Sequence, residues 1–482
     1  MNRLIVVSNR LPFALDFTRE DLWTVTPATG GLVSAIEPVL REHGGTWIGW
    51  PGIAGKIPRK PLADATCDAG YEVVPVSLSE AERDEFYYGY SNEVIWPLFH
   101  DLQSFCNFEP TFWETYKAVN ERYAEVIAQH GHRNDFIWVH DYHLMDVAQA
   151  LRERASRRFA ALTFFLHIPF PPYDIFEKLP QQQRLLRALL QFDLLGFQTR
   201  RDVRNFLQCV RRVMPDAKVL SRHELQLILF EEREIRLGHF PIGIDFDAFE
   251  NRAMSEVVTK RSQELRAAFP GCQLILGSDR LDYSKGIPER LRAFRTALER
   301  YRELHGRVVL IQVVVPSRVD IPRYHEFKQR IDRLVGEING RFSTSTWWPV
   351  QYHFRSLDRD DLLAHYRGCD IAFLTPLKDG MNLVAKEYCA CRIHEDGALI
   401  LSQFAGAAEQ LKPDALLVNP YDVEQMADTI LKAFRMSETE RSARMKRMRR
   451  VVRNENVFWW VDSFLKAGSK IGPRPQPVSR RR

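Results

Sequence analysis

The stretch LTPLKDGMNLVAKEY, residues 374–388, constrains this chain more than any other. The apolar run before it, residues 370–373, reads as a buried parallel strand, and a helix opens near Asn382. A strand-to-helix turn of this kind belongs at the carboxyl edge of an open α/β sheet. Ligands bind there, and the free N–H groups of the new helix favour an anion. Gly380 lets the backbone come close to a ligand. Asp379 stands in the turn and Glu387 about a turn and a half inside the helix. Two carboxylates so placed suit hydroxyls on different parts of one polar ligand, and a sugar joined through a diphosphate to a ribose has that layout.

The same rhythm runs through the chain. Strands are predicted at 4–8, 136–139, 162–166 and 194–198, and again at 273–277, 308–314, 350–353, 398–401 and 416–419. Helices are predicted at 32–42, 288–302, 323–338 and 423–434. The simplest architecture is α/β, with two Rossmann-like halves facing each other across a ligand crevice. The segment PIGIDFDAF, residues 241–249, marks the passage between a first domain, 1–245, and a second, 246–455. Asp245 and Asp247 within it read as hinge residues rather than a phosphatase pair or a metal motif. VFWWVDSFL lies in a further segment, 456–470, and is aromatic enough to pack back on the body, while 471–482 is a disordered basic tail by composition. Ser437 and Glu440 form a capping box for a basic helix whose charges read as a solvated face.

Charge and cysteine usage exclude several classes. The formal net charge is +5, yet five positive residues and no acid lie from Lys470 onward, so the body is neutral and no nucleic-acid partner is indicated. A strand begins directly after Arg3, with no apolar stretch of signal or membrane length, so a cytoplasmic protein with no membrane partner is expected. Seven cysteines without a CxxC point to reduced thiols. Cys389, Cys391 and His394 read as core, and His140 with His143 as no metal site, because further ligands have no evident candidate.

Charged and aromatic residues gather at strand ends. Arg10 closes the opening strand and faces either the crevice or a surface ion pair; a polar loop then runs to Gly30 and Gly31, which admit a diphosphate or form a bare turn. Tyr87, Ser91, Asn92 and Trp96 offer flat apolar faces with hydrogen-bonding tips, which suit sugar and phosphate. Asp141 and His167 end neighbouring strands, as substrate contacts or as capping and core groups. Arg280 and Lys285 share the loop SDRLDYSKG, and Arg318 follows the next strand in VVPSR. Cations fixed there can neutralise a departing diphosphate, so no metal and no cofactor is called for.

With these motifs in order, the sequence closely resembles the trehalose-6-phosphate synthases, retaining glucosyltransferases of the GT-B fold that form glycosyltransferase family 20. VSNR, the GGL at Gly30, YSNEVIWPLFH, WVHDYHL, FFLHIPFP, LLGFQT, FPIGID, DRLDYSKG, VPSR, INGRF, LKDGMNLVAKEY and LSQFAGAA carry the resemblance from about residue 3 to residue 465. It implies that Arg280 and Lys285 hold the donor diphosphate, with Gly30 and Gly31 beside the donor and Asp379 on donor-sugar hydroxyls. Gly380, Met381 and Asn382 complete that turn, Leu383, Val384, Ala385, Lys386 and Glu387 contact the donor with Glu387 on the ribose, and the base lies partly near Leu357. It implies too that Arg10, Arg318 and Tyr87 grip the phosphate of glucose 6-phosphate, that Asp141 positions its sugar, and that Trp96 and His167 orient the two anomeric centres.

The reaction so implied moves glucose from UDP-glucose to glucose 6-phosphate with the α configuration kept, giving α,α-trehalose 6-phosphate and UDP. Arg280, Lys285, Asp141 and His167 form its catalytic set. The departing phosphate takes the acceptor proton in a front-face displacement, and closure over both sugars excludes water. Two rivals stand beside this. A sister transferase would use another phosphorylated acceptor such as glycerol 3-phosphate, and a sugar-phosphate sensor would bind without turnover. Only small-molecule substrates are implied. A homo-oligomer is expected, and the length of the chain leaves phosphate removal to a separate trehalose-6-phosphate phosphatase.

Overall fold

The computed structural model describes residues 3–17, 23–27, 31–66, 69–154, 159–222, 225–317 and 322–469. Two compact units divide the chain: one ends at Phe240 and resumes at Trp460, and the other runs Pro241–Trp459.

The first unit is built on a nine-stranded sheet. Its inner strand is Leu4–Arg10, flanked by Thr46–Trp50 and Phe136–His140; Glu72–Pro75 lies beyond the former, and Ala161–Phe165, Leu194–Phe197 and Arg233–His239 lie beyond the latter, all parallel. Ile5, Val6, Val7, Ile137, Trp138 and Val139 are fully buried. Such continuous apolar runs suit strands covered on both faces. Numbered along the chain, the first six parallel strands stand in the order 3-2-1-4-5-6. The direction of winding therefore reverses between Leu4–Arg10 and Phe136–His140.

The second unit repeats the plan with six parallel strands. Across the sheet they are Val350–Phe354, Val308–Val315, Gln273–Arg280, Ile371–Leu374, Ala398–Ser402 and Leu416–Val418, again 3-2-1-4-5-6 in chain order. Here the reversal lies between Gln273–Arg280 and Ile371–Leu374, which pair at Ile275 and Ile371.

Several elements differ from the sequence reading. The supposed polar loop after Arg10 contains an antiparallel hairpin, Phe13–Phe17 with Trp23–Pro27. The strands Lys218–Arg222 and Leu225–Phe230 form an antiparallel edge next to Arg233–His239. Arg83–Ile95 winds as a π-helix, so its apolar residues follow no 3.6-residue period. Asp245 acts as a helix cap, its Oδ1 accepting from the Ala248 N–H at 3.0 Å. The basic helix Glu438–Asn454 is no simple solvated face. Arg441 and Arg449 are buried, Arg449 donates to the Cys389 carbonyl at 2.8 Å, and Arg447 pairs with Asp414 at 2.6 Å.

The unit division falls at Phe240 because the segment after it is tied into the second unit. Val457 N–H donates to the Ile244 carbonyl at 3.0 Å, and Lys386 Nζ to the Ile242 carbonyl at 2.7 Å. From Trp460 the helix Val457–Ser469 lies on the first unit's sheet. Trp138 stacks on Phe464 at 4.4 Å between centroids and lies 5.0 Å from Trp460. Gly196 is needed below it, since an added Cβ would overlap the Phe165 and Phe464 rings. Burying two such aromatics contributes about 1.5–3 kcal/mol each. No described helix is long and apolar enough to cross a membrane.

Candidate functional site

In a doubly wound sheet, adjacent loops diverge where the strand order reverses, and a crevice opens at the carboxyl ends of those two strands. Arg10 and Asp141 occupy the two strand ends at that point in the first unit. Arg280, Lys285 and residues 379–387 occupy it in the second.

Arg10 is held by aromatic rings. Its guanidinium carbon lies 4.0 Å from the centroid of the Trp50 ring and 5.3 Å from that of Tyr87. Gly52, at φ +99°, completes the box, because a Cβ there would overlap an Arg10 Nη. A cation so walled loses conformational freedom before any ligand arrives. Trp50 and Gly52 escaped the sequence reading, which placed no strand at Thr46–Trp50. Tyr87 stands on the π-helix, where Asn92 donates to the Tyr87 carbonyl at 2.6 Å, and Tyr142 Oη donates to Asn92 Oδ1 at 3.1 Å. Trp96, at the end of the same helix, is buried against His100 and Tyr142.

Asp141 has φ +73° and ψ 168°, a region that non-glycine residues seldom enter. Its N–H donates to the Phe165 carbonyl at 2.8 Å, and its Oδ1 accepts from the His167 N–H at 3.1 Å, so the two strand ends are joined. The turn beyond is laced to helix Pro110–His130. Tyr116 Oη donates to the Tyr142 carbonyl at 2.8 Å and accepts from the Met145 N–H at 3.1 Å; Asn120 donates to the His143 carbonyl at 3.0 Å and accepts from the Asp146 N–H at 3.1 Å. These bonds hold the strained residue in place. His167 Nε2 lies 3.2 Å from His140 Nδ1. Burial pushes His167 down to about 3, and burial together with His167 pushes His140 well below its usual range, so both rings are neutral.

In the second unit, Lys285 Nζ lies 2.7 Å from Asp379 Oδ2, with both side chains largely buried. Asn382 Nδ2 donates to the same oxygen at 3.2 Å, while its Oδ1 caps the helix Leu383–Cys391 by accepting from the Ala385 N–H at 3.2 Å. Asn382 sits at φ +76°, a second strained residue at a strand-order reversal. Arg280 is exposed, and its guanidinium has no hydrogen bond or ion pair among the described residues. The two loops are joined by the Leu377 N–H to the Ser284 carbonyl at 2.7 Å. Behind them, Arg290 and Asp279 form a buried pair at 2.6 Å, which fixes the end of strand Gln273–Arg280.

Gly380 and Met381 are buried, Leu383 and Val384 half-buried, and Ala385 fully buried. The Lys386 side chain points into the core toward Ile242, and burial pushes its amine down to about 7. Glu387 is partly buried and accepts from Tyr366 Oη at 2.8 Å. Leu357 is half-buried in the loop after the edge strand Val350–Phe354. Gly31 opens the helix Gly31–His43, whereas Gly30 and Arg318 lie outside the described residues.

One support was not read from the sequence as part of the site. The loop at 402–408 backs the Asp379 turn: Asp379 N–H donates to the Phe404 carbonyl at 3.2 Å, Gly406 N–H to the Asp379 carbonyl at 3.1 Å, and Ala407 N–H to the Met381 carbonyl at 2.7 Å. A Cβ at Gly406 would overlap the Gly380 carbonyl oxygen. The second unit therefore gathers the cations Arg280 and Lys285 and the carboxylates of Asp379 and Glu387 around one strand-order reversal, and the first places a boxed arginine and a fixed aspartate at the strand ends of its own. No group of three or more His, Cys, Asp or Glu residues among those described is arranged to hold a metal ion.

The profile of glycosyltransferase family 20 matches residues 2–469. The α,α-trehalose-phosphate synthase (UDP-forming) of Schizosaccharomyces pombe is 37% identical over 99% of this chain and 93% of its own length. The α,α-trehalose-phosphate synthase (UDP-forming) A of Dictyostelium discoideum is 37% identical over 97% of this chain, which spans 62% of that relative. The crystal structure of the Burkholderia xenovorans synthase in complex with glucose 6-phosphate superposes with a TM-score of 0.86 at 35% identity, covering 96% of this chain and 99% of that one. The fold is thus the GT-B fold of those synthases, and the chain belongs to glycosyltransferase family 20.

Proposed function

We propose that this chain is a retaining glucosyltransferase that moves glucose from UDP-glucose to glucose 6-phosphate, forming α,α-trehalose 6-phosphate and UDP. The observation that carries the reading is the pairing of each strand-order reversal with one chemistry: Arg10 and Asp141 in one unit, Lys285, Asp379 and the Leu383–Cys391 helix in the other. Relatives named for this activity support it.

In this reading Arg280 and Lys285 stabilise the leaving diphosphate, and that is the main catalytic task. Asp379 and Asn382 hold donor-sugar hydroxyls, and Glu387 holds the ribose. Arg10, Tyr87 and Arg318 hold the acceptor phosphate, Asp141 positions its sugar, and Trp96 and His167 orient the two anomeric centres. The neutral His167 ring serves as a hydrogen-bonding group rather than as an acid, and the departing phosphate takes the acceptor proton. The reading further places the protein in the cytoplasm, in keeping with six described free cysteines, as a homo-oligomer whose product is dephosphorylated by a separate enzyme. The test is nucleoside diphosphate release from UDP-, GDP- and ADP-glucose with glucose 6-phosphate or glycerol 3-phosphate. Release from UDP-glucose that requires glucose 6-phosphate is expected. Release only with glycerol 3-phosphate, or none, would overturn the reading in favour of the sister transferase or the sensor.

A further inference from the structure

Glu387 stands on helix Leu383–Cys391, and one of its oxygens is already engaged. Tyr366, on helix Arg359–Gly368, is 1% exposed and donates its hydroxyl to Glu387 Oε2 at 2.8 Å. Tyr366 is the only hydrogen-bond partner of that carboxylate among the described residues, which leaves Oε1 to a ligand. We propose that Tyr366 is the residue that makes the donor site specific for a ribose: it fixes the Glu387 carboxylate so that Oε1 meets a ribose hydroxyl. The proposal rests on the reading of Glu387 as the ribose contact.

A glutamate side chain has three rotatable bonds, and ordering them on binding costs affinity. A tyrosine hydroxyl anchored in the core removes that freedom beforehand. Its helix is itself pinned, since Asp358 caps the first turn by accepting from the Asp361 N–H at 2.7 Å. Burial also works against the charge of Glu387, and the Tyr366 hydroxyl and the Arg359 charge work in its favour. An ionised carboxylate accepts from a ribose hydroxyl with the strength of a charge-assisted bond. A tyrosine that served only to fill the core would do none of this, and phenylalanine would replace it at no cost in donor recognition.

The experiment compares the parent with Tyr366→Phe and Glu387→Gln, using UDP-glucose and its 2′,3′-dideoxyribose analogue as donors. Tyr366→Phe is expected to raise the KM for UDP-glucose about tenfold, the loss of one hydrogen bond to a charged group. The KM for glucose 6-phosphate should move by less than about twofold. With the dideoxy donor, and in the Glu387→Gln background, the same substitution should have no effect on donor KM. An equal rise with both donors would overturn the proposal, because Tyr366 would then act through packing alone; no rise with either would also overturn it. Failure of Glu387→Gln to lessen the preference for the ribose donor would overturn the ribose reading itself, whatever Tyr366→Phe does. Should Tyr366→Phe not fold, 3-fluorotyrosine at the same position keeps ring and hydroxyl. Its fluorine resonance should then shift with UDP-glucose and hold still with the dideoxy donor, and a shift of equal size with both would refute the assignment.

Discussion

Asp141 holds a backbone conformation, φ +73° and ψ 168°, that belongs to glycine. A residue so placed costs about 1–3 kcal/mol. Replacing it by alanine keeps that strain, because alanine also carries a Cβ. Replacing it by glycine removes the strain but adds roughly 0.5–1 kcal/mol of unfolded-state entropy. Both variants lose the Oδ1 that accepts from the His167 N–H, so that loss cancels in the comparison. The difference leaves Asp141→Gly more stable than Asp141→Ala by about 1 kcal/mol, or about 2–4 °C in melting temperature for a unit of this size. Thermal and urea unfolding of the two variants measure it. In parallel, turnover with glucose 6-phosphate should fall at least about tenfold in both, since each lacks the carboxylate. A glycine variant that gains stability relative to alanine yet shares its inactivity is the signature of strain held at a site for function. If Asp141→Ala were as stable as Asp141→Gly, the conformation would store no strain and the reasoning would be wrong.

Two further predictions concern the supports of the site. Burial pushes the Asp146 carboxyl up from 3.8 to about 7, with Glu153 and Glu121 adding to the shift and Lys117 opposing it. The folded protein therefore binds the proton more tightly than the unfolded chain, and this stability is complete below the unfolded value and is lost as pH rises through the folded one. Asp146→Asn should stabilise the protein more near pH 8 than near pH 5, by at most about 3 kcal/mol, and equal shifts of the urea midpoint at the two values would refute this. Gly406→Ala should displace the Gly380 carbonyl and raise the KM for the nucleotide sugar at least about tenfold while sparing that for glucose 6-phosphate; steady-state kinetics in each substrate decide it.

The apolar strands and their carboxyl ends were legible because a strand buried on both faces reads as an unbroken run, as at Leu4–Arg10 and Val308–Val315. Charges at the ends of such runs, Arg10, Asp141 and Arg280 among them, could then each be assigned to the carboxyl edge of a sheet. What was not legible follows from weaker local signals. The outer strand of the antiparallel edge, Lys218–Arg222, is short, charged at both ends and exposed at Lys218 and Leu220, so its apolar signal is diluted. The π-helix that carries Tyr87 shows no α-helical period. Lys386 falls in the run that the resemblance places against the donor, and the helix turns its side chain inward toward Ile242, which no linear spacing reveals. Tyr366 and Gly406 act through residues distant in sequence, Glu387 and Gly380, and only packing brings them together.

Retaining transfer to glucose 6-phosphate is decided by the product of UDP-glucose labelled with carbon-13 at C1 and incubated with glucose 6-phosphate. One new glycoside is expected, its labelled anomeric carbon showing the larger one-bond carbon–proton coupling of an α linkage and both of its anomeric protons the small three-bond coupling to H2, released with one equivalent of UDP. A β-linked product, or labelled free glucose in place of a disaccharide phosphate, would contradict it.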